Sequence, residues 1–222
     1  QPNDARRQRQ MCIRDSNGID DDNNGYVDDI NGWDAADNDN DPNPPNSSFS
    51  HGTHCSGTAA AATNNGTGVA SIGYNCKLMS AKATRSNSNN QFLDNTYGGT
   101  EYAIAAGADV VSMSFGGGGF SNAYQSLFNF GHGQGITFVA AAGNDNTSQV
   151  FYQAGYNYVI SVASTTSNDS KSSFSNYGSW IDIAAPGSSI YSTIPNNTYG
   201  TQSGTSMAVS YTHLRAHETI NH

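Results

Sequence analysis

Three short islands hold the residue types that nucleophilic chemistry needs. They are Ser50-His51-Gly52-Thr53-His54, Ala140-Ala141-Ala142-Gly143-Asn144 and Gly204-Thr205-Ser206-Met207-Ala208. A serine hydroxyl is a poor nucleophile at neutral pH unless a neighbouring base takes its proton. An imidazole can do so because it titrates close to working pH. An amide N–H can stabilise the oxyanion that forms when a carbonyl is attacked. Together, one Ser, one His and one Asn could carry acyl transfer. Each island also has a plainer reading. Ser206 after Gly-Thr suits a helix cap, Asn144 after Gly143 suits a turn, and His54 suits a packed position inside a helix. HxxH without an intervening Glu is a poor zinc motif.

The elements between the islands would have to bring them together. A run of small residues, HGTHCSGTAAAA, reads as a helix opening at or just after His51, and Thr96–Ala106 as a second helix ended by Gly107. Ala123–Gly131 reads as a third. Strands are expected at 77–83, 108–115, 136–143, 158–164 and 180–185, the last stopped by Pro186. Residues 17–50, rich in Asp, Asn and Gly, read as loop. Near-continuous apolar strands alternating with helices predict an α/β fold, a mostly parallel sheet with helices on both faces. Ligands of such sheets gather at the carboxyl ends of the strands.

The strings HGTH, SMSFGG, AAAGN, APG and SGTSMA occur in this order, and the chain from residue 17 to 208 resembles the subtilisin-like serine peptidases. The resemblance implies a three-layer subtilisin-like fold and a serine endopeptidase that works through an acyl-enzyme. It makes His51 the general base, Ser206 the nucleophile at the start of a helix, and Asn144 the side-chain oxyanion donor. It implies that an extended substrate pairs along Ser114-Phe115-Gly116, with Ala141-Ala142-Gly143 as the opposite wall. Phe151-Tyr152-Gln153 departs from the proline-containing turn common there, which puts the depth of the specificity pocket in question.

A triad also needs a carboxylate to orient the imidazole. In relatives with an NGIDDDGNGYVDD-like loop it lies upstream of that loop, in a D-T/S-G motif on the first strand. Asp15, in IRDSNGID, imitates it but follows the polar run ARRQRQ instead of an apolar strand. Back-translated as ATG TGT ATA AGA GAC, MCIRD has a reverse complement that reads VSYTH, the string at residues 209–213. Natural protein ends have no reason to be reverse complements. Residues 1–16 and 209–222 are therefore expected to be adaptor-derived, with the triad Asp strand and the helix after Ser206 missing or replaced and the fragment impaired. Asp15 and Cys12 then carry no evolved role.

Residues 20–28 fit D-x-D-x-N-G-x-x-D, an arrangement for a structural Ca²⁺ through Asp20, Asp22, Asn24, the Tyr26 carbonyl and Asp28. Asn31 stands where an EF-hand carries Glu, and a solvated acidic loop is the alternative. Five carboxylates within residues 20–29 repel one another without a cation. Thr63–Val69, through Asn65 and nearby carbonyls, is a weaker second candidate by resemblance. Cys55, next to HGTH, reads as a thiol packed beside His51, and a Cys55–Cys76 disulfide is left open.

From residue 17 to 208 there are four basic and fifteen acidic residues, a net charge of −11. Phosphates require clustered Lys and Arg, so nucleic acid is excluded as a partner. No apolar run reaches transmembrane length and no signal peptide is visible. A secreted monomer acting on proteins or peptides is expected. The alternative is a catalytically silent, calcium-binding, subtilase-like module that holds peptides.

Overall fold

The structure, a computed structural model, describes residues 16–74 and 76–220, the last eight of these as backbone alone. Asp15 and Cys12 lie outside the described residues. The chain divides into two compact units, one of residues up to 49 together with 79–108, the other of residues 50–78 and 109 onward.

In the first unit, β1 (Gly32–Asp34) pairs in parallel with β2 (Ser80–Lys82), and α1 (Thr96–Ala105) follows. The strand at β1 corrects the expectation of unbroken loop over 17–50. Three residues are too short a run for periodicity to register, and the strand exists because Trp33 has a core to enter. Trp33, Tyr102 and Ala106 form that core, with Tyr26, Ala35 and Met79 against it. The Tyr26 ring meets Trp33 and Tyr102 edge-on, at centroid distances of 5.0 and 4.8 Å, the geometry aromatic quadrupoles favour. Asn95 caps α1 by accepting from the Gly98 N–H at 2.9 Å, while its amide donates to the Ala35 carbonyl at 2.7 Å. Gly107, at φ +75°, ends the helix as expected.

Asp34 and Lys82 are register partners and also an ion pair, 2.6 Å apart and buried. Asp34 Oδ1 accepts from the Ala36 and Asp37 N–H groups, and Lys82 Nζ donates to Ser86 Oγ. Such a pair gains little over an apolar replacement, yet losing one partner strands a charge.

In the second unit, β3 (Val110–Met113), β4 (Thr137–Ala141), β5 (Val159–Thr165) and β6 (Ile183–Pro186) form one all-parallel sheet in that order. Successive strand residues face opposite sides. On β4, Val139 and Ala141 join Val162, Ala208 and Val209 in a core beneath α4 (Thr205–Ile220). Phe138 points the other way, onto Phe128 of α3 (Asn122–Gly133), at 5.0 Å between ring centroids. Helices thus cover both faces of this sheet, as the sequence predicts. β6 includes Pro186 instead of stopping before it. The strand lies at the sheet edge, where a missing N–H leaves no ladder partner unsatisfied. α4 continues from Ser206 beyond residue 208, with Val209, Ser210 and Thr212 buried.

A hairpin that the sequence reading does not anticipate, β7 (Ile190–Ile194) and β8 (Thr198–Gln202), turns through Asn196 and Asn197, both at positive φ. With Ile194 opposite Thr198, the connection is the three residues Pro195 to Asn197, and Asn adopts positive φ more readily than most residues. It packs on α2 (His51–Ala60): Ser192 and Thr193 hydroxyls donate to the His54 and Thr53 carbonyls at 2.8 and 3.0 Å.

Replacing Asp34 by Ala should destabilise the protein by about 3–5 kcal/mol, because Lys82 remains buried and unpaired. Urea unfolding measures this, and a loss under about 1 kcal/mol would show that the pair is inconsequential.

Candidate active site

The parallel register sets the geometry. Met113 lies opposite Ala140, so the segments that leave the carboxyl ends of β3 and β4 run out side by side. These are Ser114-Phe115-Gly116 and Ala141-Ala142-Gly143, the two expected walls. Ser114 and Phe115 are partly buried, Gly116 is exposed, and Ala141 to Gly143 are buried. At Gly143 the chain turns with φ +98°, a conformation that side chains other than glycine rarely adopt. The turn delivers Asn144 to the surface.

Asn144 is held by its oxygen. Oδ1 accepts from the Thr205 N–H at 2.9 Å and from the Thr205 hydroxyl at 3.0 Å. The Gly143 N–H donates to the same hydroxyl at 3.1 Å. With Oδ1 fixed by two donors, Nδ2 is the group left to face a ligand. Asn176, fully buried, braces the turn from behind. It donates to the Ala142 carbonyl at 2.8 Å and accepts from the Asp145 and Thr147 N–H groups.

Ser206 stands in the first turn of α4, where N–H groups lack intrahelical acceptors and the dipole favours negative charge. Its hydroxyl donates to the Ser114 carbonyl at 3.2 Å, and Ser114 Oγ donates to the Ser206 carbonyl at 3.0 Å. The nucleophile candidate is therefore tied to the end of β3. His51 opens α2. Cys55, one turn later, reaches both sides: its Sγ is 4.0 Å from His51 Nε2 and 3.8 Å from the Ser206 carbonyl. The thiol thus lies between the imidazole and the backbone carbonyl of Ser206. Burial pushes the Cys55 pKa up, so the thiol stays protonated and its nucleophilicity is low. Cys55 and Cys76 are both thiols, and no disulfide joins them.

The His51 residue is exposed overall, yet neighbouring protein desolvates its ring enough to hold its pKa below the ordinary 6.5. His54 is wholly buried. Its Nε2 lies 3.0 Å from the Ile190 carbonyl and 3.2 Å from the Gly200 carbonyl, so it carries the proton and donates to the hairpin. Its Nδ1 is buried without a hydrogen-bond partner. Burial is the leading cause that lowers its pKa. This is the structural role that its place inside the helix suggests.

The acidic loop lies in the other unit and folds on its own N–H groups. Asp20 accepts from Asn24 and Gly25, Asp22 from Asn24, and Asn24 Oδ1 from Tyr26. Asp28 accepts from the Asn17 and Gly18 N–H groups at the start of the loop. Asp20 and Asp22 oxygens meet at one amide, the Asn24 N–H. Among the described residues no group of three or more His, Cys, Asp or Glu side chains is arranged as a metal site. In the second calcium candidate, Asn65 Oδ1 accepts from the Thr67 N–H of its own loop. Thr205 and Asn176, which position Asn144, escape sequence reading. Thr205 is visible only as part of a motif, and Asn176 carries no local signal at all.

The subtilase family matches residues 9–210. Thermitase of Thermoactinomyces vulgaris is 45% identical over 180 residues, which cover 81% of this chain and 63% of that protein. Subtilisin DY of Bacillus licheniformis is 40% identical over 162 residues, 71% of this chain and 58% of that protein. The halolysin-like extracellular serine protease Nep of Natrialba magadii is 39% identical over 177 residues, 80% of this chain and 32% of that protein. The chain thus spans less than two thirds of the length of these relatives.

Both shifted histidines are proton-poor in the folded state. Their contribution to stability is complete above the unfolded pKa, near 6.5, and is lost as pH falls through the lower folded values. The melting temperature should therefore fall between pH 7.5 and 5. His54→Ala should cost about 1–3 kcal/mol at pH 7.5 and flatten that fall. An unchanged pH dependence in the variant would remove His54 as its source.

Proposed function

We propose, since the chain belongs to the subtilase family, that it is the working part of a secreted serine endopeptidase. What supports this reading is a set of contacts at one strand edge: the Ser206 hydroxyl is tied to the Ser114 carbonyl, Asn144 is tied to Thr205 beside it, and the Cys55 thiol lies near both His51 Nε2 and the Ser206 carbonyl.

In this mechanism Ser206 Oγ leaves the Ser114 carbonyl and attacks the scissile carbonyl of a bound peptide. His51 takes the hydroxyl proton as the Oγ–C bond forms. The resulting oxyanion is met by Asn144 Nδ2 and by the backbone N–H of Ser206 itself. His51 then passes its proton to the departing amine, which leaves an acyl-Ser206 ester. Water, deprotonated by His51, releases the acid and restores the hydroxyl. The depressed His51 pKa keeps the base form available down to pH below 6.5. Substrate backbone is proposed to lie between Ser114–Gly116 and Ala141–Gly143, as an added strand.

Among the described residues no carboxylate is hydrogen-bonded to His51. In subtilisin, a member of this family, loss of the triad Asp alone costs roughly 30,000-fold in turnover. We accordingly expect weak turnover from this chain, with single covalent events still measurable. Secretion is supported by the relative named extracellular, and among the described residues no helix is long and apolar enough to cross a membrane. A structural Ca²⁺ at the acidic loop is part of the proposal. Asp20 and Asp22 are the residues that fit a hard cation there, and Asp28 would have to leave Asn17 and Gly18 to join them.

A fluorophosphonate should label Ser206 and no other residue, and Ser206→Ala should abolish labelling. Asn144→Ala should slow labelling by roughly 100- to 1,000-fold, the range known for the equivalent donor in subtilisin. The labelling rate should rise with pH through a midpoint below 6.5. Absence of label on folded protein leaves the silent peptide-binding module as the reading. Separately, millimolar Ca²⁺ should raise the melting temperature, and the Asp20→Asn, Asp22→Asn double variant should lose that rise. No shift on adding Ca²⁺ counts against the site.

A further inference from the structure

We propose that Phe151 closes the side-chain pocket between the two substrate walls, and that this peptidase therefore cleaves after small residues such as Gly, Ala or Ser. The inference deepens the endopeptidase reading and rests on it.

The ring of Phe151 touches both walls. A Cβ added at Gly116 would collide with Phe151, with the ring atom Cδ1 only 2.8 Å away and Cε1 closer still. A Cβ added at Gly143 would meet the same Cδ1 at 3.2 Å and Cγ at 3.0 Å. One ring atom therefore lies close to the Cβ direction of both glycines, so the Phe151 ring fills the space that their missing side chains leave between the walls. A second aromatic ring, about 3.5 Å thick in van der Waals terms, cannot enter space that this ring already holds. The backbone fixes the plug. The Gly117 N–H donates to the Tyr152 carbonyl, and the Gly155 N–H donates to the Phe151 carbonyl at 3.0 Å. Behind it, Tyr152 packs on Tyr156 and Phe120, at centroid distances of 4.7 and 5.9 Å.

Both walls are glycine where they meet the ring. Those glycines would otherwise leave a slot wide enough for a substrate side chain, and here the slot is occupied from within the chain. A substrate residue whose carbonyl sits at Ser206 must then place its side chain against Phe151. A methyl or hydroxymethyl can be accommodated there, whereas a benzyl group must displace a ring pinned from both sides. A pocket that rejects a larger side chain sterically discriminates by tenfold or more.

The test uses peptidyl diphenyl phosphonates, in which Ser206 Oγ bonds to phosphorus and phenol departs with the proton. Two probes differ only in the residue next to phosphorus, one Ala-like and one Phe-like. The unmodified chain should react at least tenfold faster with the Ala-like probe. Phe151→Gly should reverse this order, with at least a tenfold gain for the Phe-like probe. A simple alkyl fluorophosphonate, which has no side chain to place, is run in parallel. If it labels Ser206 while the Phe-like probe reacts as fast as the Ala-like one with the unmodified chain, the plugged pocket is wrong and the peptidase reading stands. If Phe151→Gly folds and keeps the original order, Phe151 is not the determinant. If the fluorophosphonate fails as well, the peptidase reading falls and takes this inference with it.

Discussion

The parallel register of β3 and β4 is the constraint on which the candidate site depends. With Met113 opposite Ala140, both strands end at the same level and their continuations emerge together. A slip of one residue would turn Val139 and Ala141 away from α4 and bring Phe138 beneath it, exchanging the two buried faces. Because each face is filled by a different helix, the sheet has one acceptable register. The walls, the Gly143 turn and Asn144 follow from it.

α4 uses the same packing for a second purpose. Ala208 and Val209 anchor it on the sheet, and this fixes where its first turn lies. Thr205 then joins helix to strand, taking Gly143 on its hydroxyl and giving two hydrogen bonds to Asn144. Groups that must be ready before a substrate arrives are held by short, mutually dependent contacts, which is what preorganisation requires. His51 is secured less directly. Its helix is clamped to the hairpin through the side chain of His54 and the Thr53 and His54 carbonyls, so His51, the proposed base, is positioned by a neighbour one turn away.

Cys55 and the acidic loop illustrate how polar groups settle against the atoms of their own chain. Cys55 sits among His51, Ser206 and its own helix as a protonated, desolvated thiol. Asp20, Asp22 and Asn24 fold into turns that satisfy backbone N–H groups. Both arrangements are compatible with stable structure, since buried or crowded polar atoms need partners of some kind.

Much of this protein was legible in its residues. Apolar runs marked the four parallel strands of the second unit, residue patterns marked the helices at His51, Thr96 and Asn122, and Gly107 marked a helix end, because these signals are local, whereas the helix at Ser206 came only from the family resemblance. The ordered short motifs identified the family and singled out His51, Asn144 and Ser206. Three residues of β1 and the β7–β8 hairpin were not read, since Ile190–Gln202 shows no clean apolar–polar alternation. Short pairings owe their existence to distant partners such as Trp33 with Tyr102, or the hairpin with α2. Only the folded chain decided which neighbour holds the Asn144 oxygen, that Asn176 braces it, that Asp28 closes on Asn17 and Gly18, and that Phe151 stands between Gly116 and Gly143. Those facts depend on atoms brought together from positions far apart in sequence, and no local pattern encodes such a meeting.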